Sequence, residues 1–318
     1  MQLKQSLCAA VVAGGIFFFT GAQAAAPLMK GQAPGYYQMM LGDFEITVLS
    51  DGTADLPASK FLTNITPART MKALAHFYLK DPVETSVNGF LINTGTKLVL
   101  VDTGAAKLFG PTLGNLVANL KAAGYQPEQV DEVYITHMHP DHLGGLLADE
   151  KPAFPNAIVR ADKRDADFWL SQANLDKAAK DDKGFFQSAM ASLNPYVAAG
   201  KFKPFDGNTA LVPGVRATAS YGHTPGHTTY VIESKGEKLV LLGDLVHLVA
   251  VQFPDPSVTF KSDADSKAAA MQRKRAFADA AKQGYWIGAA HISFPGVGHI
   301  RAEGSGYGWI PANYSVVR

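Results

Sequence analysis

The pattern of hydrophobic and polar positions predicts two successive groups of strands, each followed by a helix. In the first half of the chain, the strand-like segments are residues 44–52, 87–95, 97–104, 130–136 and 157–162. Helical spacing is found at residues 113–125, which end near Gly124, and at residues 162–180. In the second half, the strand-like segments are residues 215–227, 228–234, 238–244 and 285–296, and residues 265–284 have helical spacing.

This order of elements predicts an α/β fold with two similar layers that pack sheet on sheet, with the helices outside. Residues 25–40 are expected to be irregular, and residues 285–296 are expected to be the last strand. No low-complexity linker divides the chain. Residues 25–318 are therefore predicted to form a single domain.

The composition excludes several classes of partner. The chain has 318 residues, of which 47% are hydrophobic, so it has enough apolar surface for a large core. Its formal net charge is +1, from 29 basic and 28 acidic residues, with no long run of either sign. A nucleic-acid or membrane-surface binder is therefore not expected, and the ligand should be small and not highly charged.

The first 24 residues are typical of an export signal. Lys4 supplies the positive start, residues 7–19 the apolar stretch, and residues 22–24 a small-x-small cleavage site. The apolar run is shorter than the ~20 residues that span a bilayer, so a membrane anchor is not expected. We therefore expect residues 1–24 to be removed and the protein to be periplasmic or secreted. Cys8, the only cysteine, leaves with this signal, so any metal must be held by imidazole and carboxylate.

A cluster of histidines follows the strand predicted at residues 130–136. Three of the nine histidines and one aspartate lie within six residues, and three further polar residues end later strands. By donor type they divide into a three-nitrogen set (His137, His139, His223), a mixed set (Asp141, His142, His291) and Asp244, which can bridge two ions. Such ligands without sulfur suit two divalent metal ions, with zinc favoured and Mn, Fe or Co allowed.

The same motifs resemble those of the metallo-β-lactamase superfamily. "HMHPDH" at residues 137–142, "GHTPGH" at 222–227, "GD" at 243–244 and "AAH" at 289–291 occur in the order of that family. The resemblance implies an αββα sandwich of two mixed β-sheets packed face to face, with helices outside. It also implies the same two ligand sets bridged by Asp244, with His223 as the ligand of "GHTPGH". His227 and Asp102 are then expected to support the ligands.

A closer resemblance is to a secreted branch of the superfamily that contains methyl parathion hydrolase and dihydrocoumarin-type lactonases. It is carried by residues 33–53, 97–106, 108–114, 124–142 and 293–304. The resemblance implies an aromatic pocket wall at Phe109, Trp169 and Phe185, with Phe186 as the alternative to Phe185 in a loop-like segment. Such a wall suits a small uncharged aryl ester, lactone or triester.

One residue departs from the phosphotriesterase members of that branch. His247, three residues after Asp244, stands where those members carry an aliphatic residue, and Phe260 and Ser262 also differ from them. A histidine beside the metals could donate to the leaving oxygen of a lactone or accept a proton from it. It could equally narrow the pocket against a bulky phosphotriester.

These features predict a dinuclear hydrolase in which a hydroxide shared by two ions attacks a carbonyl or phosphoryl centre. Asp141, Asp244 and His247 are the expected catalytic residues. Lactone or aryl-ester hydrolysis is the favoured activity, with methyl parathion-type phosphotriester hydrolysis second. A dedicated methyl parathion hydrolase, a β-lactamase, a glyoxalase-type thioesterase and a non-catalytic metal-binding protein are the alternatives.

Two histidines receive no functional role. His76 is expected in a helix, and His299 is expected in a glycine-rich turn, because neither has a ligand partner nearby in sequence. Residues 62–70 are expected either to cap the pocket or to form a homodimer face.

Overall fold

The computed structural model describes residue 26 and residues 28–317. The predicted export signal, residues 1–24, lies outside the described residues. Residues 26 and 28–33 contain no helix or strand, and residues 34–317 form a compact unit that holds all the elements below. None of the helices in the described part of the chain is both long and apolar enough to cross a membrane.

The first sheet is built from the N-terminal half of the chain. In spatial order its six strands are Tyr36–Leu41, Phe44–Leu56, Val83–Asn93, Leu98–Val101, Glu132–Tyr134 and Ile158–Arg160. Along this order the first three pairings are antiparallel, and the last two are parallel. The sheet is therefore mixed, as the family resemblance implies.

The second sheet is built from the C-terminal half. In spatial order its seven strands are Thr209–Val212, Val215–Ala219, Thr228–Ser234, Glu237–Leu241, Trp286–Gly288, Val297–Glu303 and Gly306–Pro311. One pairing is parallel, between Glu237–Leu241 and Trp286–Gly288, and the others are antiparallel. Two short ribbons complete the strands: Leu62–Thr63 pairs with Thr259–Phe260, and Leu147–Ala148 pairs with Lys151–Pro152.

Helices cover the outer faces of the two sheets. The α-helices are Ala58–Phe61, Pro67–His76, Leu116–Ala122, Pro140–Leu143, Lys163–Trp169, Gln172–Lys177, Lys183–Ala198, Val249–Gln252 and Ser266–Gln283. Single 3₁₀ turns lie at Pro127–Gln129, Gly144–Leu146 and Gly243–Leu245. The helix Ser266–Gln283 begins after Asp265, whose side chain accepts from the Ala268 N–H, and it ends at Gly284 in the left-handed region (φ 72°).

Three buried clusters fill the layers. Between the sheets, Ile46 and Phe90 of the first pack with Tyr230 and Leu241 of the second. A second cluster fills the space between the first sheet and its helices, and a third, around Phe277, does the same for the second sheet. The αββα sandwich predicted for the chain is thereby confirmed.

Several local predictions were wrong. Residues 36–41 form an edge strand because they pair with residues 44–49, so the opening is not irregular to residue 40. Two strands, Val297–Glu303 and Gly306–Pro311, follow residues 285–296 and pair with each other. The glycines of this segment resemble a turn signal in the sequence, but several of them lie in the strands of this hairpin. At Gly298 a side chain would collide with the backbone of Ile310 across the ladder. His299 accordingly lies in a strand and not in a turn.

Phe185 also lies in a different element from the one predicted. It belongs to the first turn of helix Lys183–Ala198 and not to a loop. Gly184 weakens helix propensity locally, but packing of Phe186 and Leu193 into the core outweighs that preference. His76 ends helix Pro67–His76, as predicted.

Candidate metal centre

The seven predicted ligands converge where strands of both sheets end. His137 and His139 follow strand Glu132–Tyr134, and Asp141 and His142 lie in the short helix Pro140–Leu143 that comes next. The remaining three follow strands of the second sheet; they are His223, Asp244 and His291. Six of the seven are buried, and the seventh, Asp141, is partly exposed. The structure therefore brings together every residue that the sequence nominated as a metal ligand.

The three-nitrogen set is compact. His139 Nδ1 lies 3.0 Å from His137 Nε2 and 3.1 Å from His223 Nε2. Oδ2 of Asp244 completes the set, 3.3 Å from His223 Nε2 and 3.6 Å from His137 Nε2. Three imidazole nitrogens and one carboxylate oxygen thus face a common point.

The mixed set lies on the other side of Asp244. Its Oδ1 is 3.1 Å from His142 Nε2 and 3.2 Å from His291 Nε2. Oδ2 of Asp141 is 3.4 Å from His291 Nε2 and 3.7 Å from His142 Nε2. Asp244 therefore presents one oxygen to each set, as a bridging carboxylate does.

Both sets fit divalent ions. Ligand atoms about 2.0–2.1 Å from a tetrahedral zinc lie about 3.4 Å from one another, close to the separations in both sets. His142 Nε2 and Asp244 Oδ1 are both buried and 3.1 Å apart, yet neither forms a hydrogen bond with any group of residues 28–317. Because buried polar atoms are normally satisfied, these two orphaned atoms indicate a cation between them. Imidazole and carboxylate donors without sulfur are compatible with zinc.

Electrostatics favour a cation at the same place. Burial alone would lower the pKa of His291, but the carboxylates of Asp244 and Asp141 outweigh it and raise that pKa to about 10. The pKa of His223 is raised to about 9 in the same way, against its burial, by hydrogen bonds to Asp244 and Asp263. The metal-free cluster therefore carries protons that a metal ion displaces on binding.

Two residues expected to support the ligands do contact them. Asp102, at φ 58°, accepts hydrogen bonds from the Thr136 N–H and hydroxyl, each at 2.8 Å, and lies 2.8 Å from His142 Nδ1. His227 Nε2 accepts from the Asp244 N–H at 3.0 Å. Burial lowers the pKa of His227 to about 3, so its ring is neutral and able to accept.

Two further supports have no signal in the sequence. Asp263 lies 2.8 Å from His223 Nδ1 and accepts from the Phe260 N–H at 2.8 Å. The carbonyl oxygen of Ser86 lies 2.9 Å from His291 Nδ1. Each contact fixes the ring nitrogen opposite the one that faces the cluster. Both partners are distant in sequence, so no local motif announces them.

Two of the three residues predicted to form an aromatic wall lie beside the cluster. His139 makes edge-to-face contacts with Trp169 and Phe185, at ring-centroid distances of 5.3 and 5.1 Å. Phe186 points into the core, so Phe185 is the residue that faces the cluster. Phe109 lies in an exposed loop, with 46% of its surface accessible, and its role in the wall stays a prediction.

His247 adjoins the cluster on the side of Asp244. Its Nε2 lies 3.0 Å from Asp244 Oδ2. The ring stacks on Phe260, with centroids 3.8 Å apart and planes 2° from parallel, and lies 5.3 Å from the nearly parallel ring of His291. Its Nδ1 has no hydrogen-bond partner within the described ranges. His76 and His299 lie outside the cluster: His76 is exposed on its helix, and the His299 ring contacts Trp286 with centroids 4.0 Å apart and planes tilted by 37°.

Comparison with known proteins identifies the family. A model described as the metallo-beta-lactamase superfamily matches residues 82–282. The chain belongs to this superfamily. The solved hydrolase AbOPH of the beta lactamase superfamily is 40% identical, with a TM-score of 0.85, and the match covers 90% of this chain and 100% of AbOPH.

Two lactonases are also similar to this member of the superfamily. AidC, a dizinc quorum-quenching lactonase solved with a product, is 27% identical with a TM-score of 0.82, over 89% of this chain and 99% of AidC. N-acyl homoserine lactonase of Bacillus cereus is 26% identical over 203 residues, which are 60% of this chain and 71% of the lactonase. The protein is therefore a metal-dependent hydrolase related to N-acyl homoserine lactonases. The narrower resemblance to the methyl parathion hydrolase branch stays a prediction.

Proposed function

We propose that the protein hydrolyses lactones and aryl esters at a dinuclear zinc centre, with phosphotriester hydrolysis as a weaker side activity. The observation that carries this proposal is His247, a buried imidazole beside Asp244 whose Nδ1 is unpartnered in the part of the chain described. The similarity to AidC and to the Bacillus cereus lactonase supports the same substrate class. The substrate is small and uncharged in this proposal, because the apolar rings of Trp169 and Phe185 adjoin the ligand His139.

The seven ligands would hold the two ions, with Asp244 between them. When bound, such ions polarise the substrate oxygen and lower the pKa of a water toward neutrality. Asp244 fixes the separation of the two donor sets, because each of its oxygens faces one set. Trp169 and Phe185 exclude water beside His139 and offer apolar contact to an aryl or acyl group.

His247 acts in this proposal as an acceptor. Burial lowers its pKa to about 4 in spite of the neighbouring Asp244 carboxylate, so the ring is neutral at pH 7. Because Asp244 Oδ2 accepts, Nε2 carries the proton and Nδ1 keeps its lone pair. Stacking against Phe260 holds the ring in place. Nδ1 therefore accepts a proton or hydrogen bond from a reacting hydroxyl, and the donor role considered from the sequence is not favoured.

The test is a comparison of kcat/KM for dihydrocoumarin, N-hexanoyl homoserine lactone and methyl parathion with the zinc-loaded protein in one buffer. We expect the larger value for a lactone. His247→Leu should lower the lactone value by about 10²-fold, the lower end of general acid–base contributions, and should not lower the methyl parathion value. His76→Leu, at an exposed helix position, is the matched control. If two zinc ions bind and neither lactone is hydrolysed, the substrate proposal is wrong and the metal centre stands.

A dedicated phosphotriesterase is the second candidate. The aromatic contacts of Trp169 and Phe185 with His139 favour it, because flat apolar rings suit the aryl leaving group of methyl parathion. A larger kcat/KM for methyl parathion than for either lactone would establish phosphotriester hydrolysis as the main activity.

We also propose that residues 1–24 direct export and are then removed. The charged start, the apolar stretch and the small-x-small site in the sequence support this. Cell fractionation and N-terminal sequencing of the mature protein test it: an N-terminus at residue 25 in the periplasm or medium is expected, and retention of residues 1–24 on a cytoplasmic protein would contradict it.

A further inference from the structure

Asp165 is a buried carboxylate that lies outside the ligand set and has no assigned role. It is the third residue of helix Lys163–Trp169, and its side chain is inaccessible to solvent. Burial raises the pKa of Asp165 to about 6, which leaves it ionised at neutral pH. A buried charge of this kind is costly unless several donors compensate it.

Three donors surround this carboxylate. Oδ2 accepts from the Met138 N–H and from the Thr224 hydroxyl, both at 2.9 Å. Oδ1 accepts from the Gly226 N–H at 2.5 Å. The donors come from two segments that are 86 residues apart in the chain, counted from residue 138 to residue 224. Asp165 therefore links two loops that are distant in sequence, beside the backbone hydrogen bond from the Thr228 N–H to the Thr136 carbonyl oxygen at 2.9 Å.

Each linked segment carries ligands of the three-nitrogen set. Met138 stands between His137 and His139, and Thr224 directly follows His223. The contacts with Asp165 thus fix the backbone on both sides of the gap that the three imidazoles span. Movement of either loop would separate nitrogens that now lie 3.0 and 3.1 Å apart.

The packing at Gly226 shows how closely the second loop approaches. A Cβ at this position would lie 2.5 Å from the backbone nitrogen of Asp165 and 3.0 Å from its Cβ. Only glycine fits such a distance without displacement of the helix or the loop. The loop that contains Gly226 therefore packs directly against Asp165, the residue that accepts its hydrogen bonds.

The mixed ligand set is held by other groups. Asp102 contacts His142, and the Ser86 carbonyl contacts His291. Neither of these two contacts involves Asp165. A change at Asp165 should consequently affect the two donor sets unequally.

We propose that Asp165 is a positioning residue that ties the His137–His139 segment to the His223 loop, so that three imidazole nitrogens converge on one ion. The inference rests on the dinuclear centre of the proposed function but not on the identity of its substrate. It assigns Asp165 to the three-nitrogen set alone.

Asparagine cannot replace the carboxylate. An amide offers one acceptor oxygen, whereas Asp165 accepts through both of its oxygens. In either orientation the amide NH₂ of Asp165→Asn would face a backbone N–H, of Met138 or of Gly226. One of the two loops would lose its anchor.

The experiment measures metal binding and not only turnover. In wild type and Asp165→Asn, zinc affinities are obtained by competition with a chromogenic chelator, and the cadmium-loaded proteins are compared by cadmium NMR. We expect the three-nitrogen site to bind zinc about 10–100-fold more weakly in the variant, and the mixed site to change by less than about threefold. Only the cadmium signal of the three-nitrogen site should shift.

The matched control is Asp162→Asn, at the N-cap of the same helix. Asp162 is also buried and accepts from three donors, the N–H groups of Arg164 and Gly207 and the Tyr221 hydroxyl. Only Tyr221 lies near a ligand in sequence, two residues before His223, and it donates through its side chain and not through the backbone of the loop. A general loss of stability would appear in both variants, whereas a loss of zinc affinity confined to one site should appear only in Asp165→Asn.

A milder pair keeps the proposal testable if Asp165→Asn does not fold. Thr224→Val removes one of the three donors and should weaken the three-nitrogen site several-fold, while Thr224→Ser keeps the hydroxyl and should restore the affinity. Equal zinc affinity in wild type and Thr224→Val, or equal losses at both sites in Asp165→Asn, would overturn the proposal. Absence of lactone hydrolysis by the wild type would refute the proposed substrate but leave these binding results unaffected.

Discussion

The contact between Asp263 and His223 allows a quantitative prediction. Both side chains are completely buried, and Asp263 Oδ1 lies 2.8 Å from His223 Nδ1 while Oδ2 accepts from the Phe260 N–H at 2.8 Å. Asp263→Asn preserves size but replaces one acceptor with a donor. Whichever way the amide turns, its NH₂ faces a buried N–H, on His223 or on Phe260, and that N–H is left without an acceptor.

The cost follows from that single orphaned donor. A buried donor without a partner costs about 1–3 kcal/mol. The Nδ1 proton of His223 is present whether Nε2 carries a proton or a metal, so part of this cost lowers the free energy of unfolding of the metal-free protein. The rest appears as poorer orientation of the ring, and we expect zinc affinity at the three-nitrogen site to fall by about tenfold.

Two assays measure the two parts. Urea unfolding of the metal-free protein gives the loss of stability, and chelator competition gives the loss of zinc affinity. Asp265→Asn is the control, because Asp265 caps helix Ser266–Gln283 and asparagine caps a helix equally well. If Asp263→Asn matches the wild type in both assays, the hydrogen bond does not position His223 and the reasoning is refuted.

Three further predictions concern the same centre. Zinc affinity should rise from pH 6 to pH 9, because the pKa values of His223 and His291 are raised to about 9 and about 10 and protons compete with the metal below these values. Calorimetry in buffers of different ionisation enthalpy should show proton release on zinc binding, and a zinc affinity that is independent of pH would contradict this prediction. Gly243→Ala should lower the free energy of unfolding in urea by about 1–3 kcal/mol, because the new Cβ would lie 2.7 Å from His227 Nε2 and the backbone has a φ of 53°. An unchanged urea midpoint would argue against this close packing. Phe109→Ala should change the free energy of unfolding by less than about 0.5 kcal/mol, because the side chain is exposed. If Phe109 lines the pocket, the same variant should raise KM for an aryl substrate, and an unchanged KM would show that Phe109 is not part of the aromatic wall.

Much of the metal centre was predictable because its ligands lie in short motifs at the ends of recognisable strands. A strand of alternating or apolar residues followed by histidine or aspartate is visible without coordinates, and parallel or adjacent strand ends meet at one edge of a sheet. All seven predicted ligands therefore came together, and the layer order was correct. His227 and Asp102 were expected as supports, and each contacts a ligand or its backbone.

Other features depended on tertiary packing. The choice between Phe185 and Phe186 required the orientation of a helix whose start the local composition obscured. The strand at residues 36–41 and the two C-terminal strands exist because of their partners, since cross-strand pairing and not intrinsic propensity decides edge strands.

The sequence alone determined which atoms can bind metal, because donor chemistry is a property of single residues and their spacing is local. Tertiary structure decided which buried groups hold those donors in place. Asp263 supports His223 from 40 residues away, and Asp165 reaches Met138 across 27 residues and Gly226 across 61. The packing of the two halves against each other determines such partners. A buried donor binds whichever acceptor the fold brings within about 3 Å, whatever the distance between the two residues along the chain.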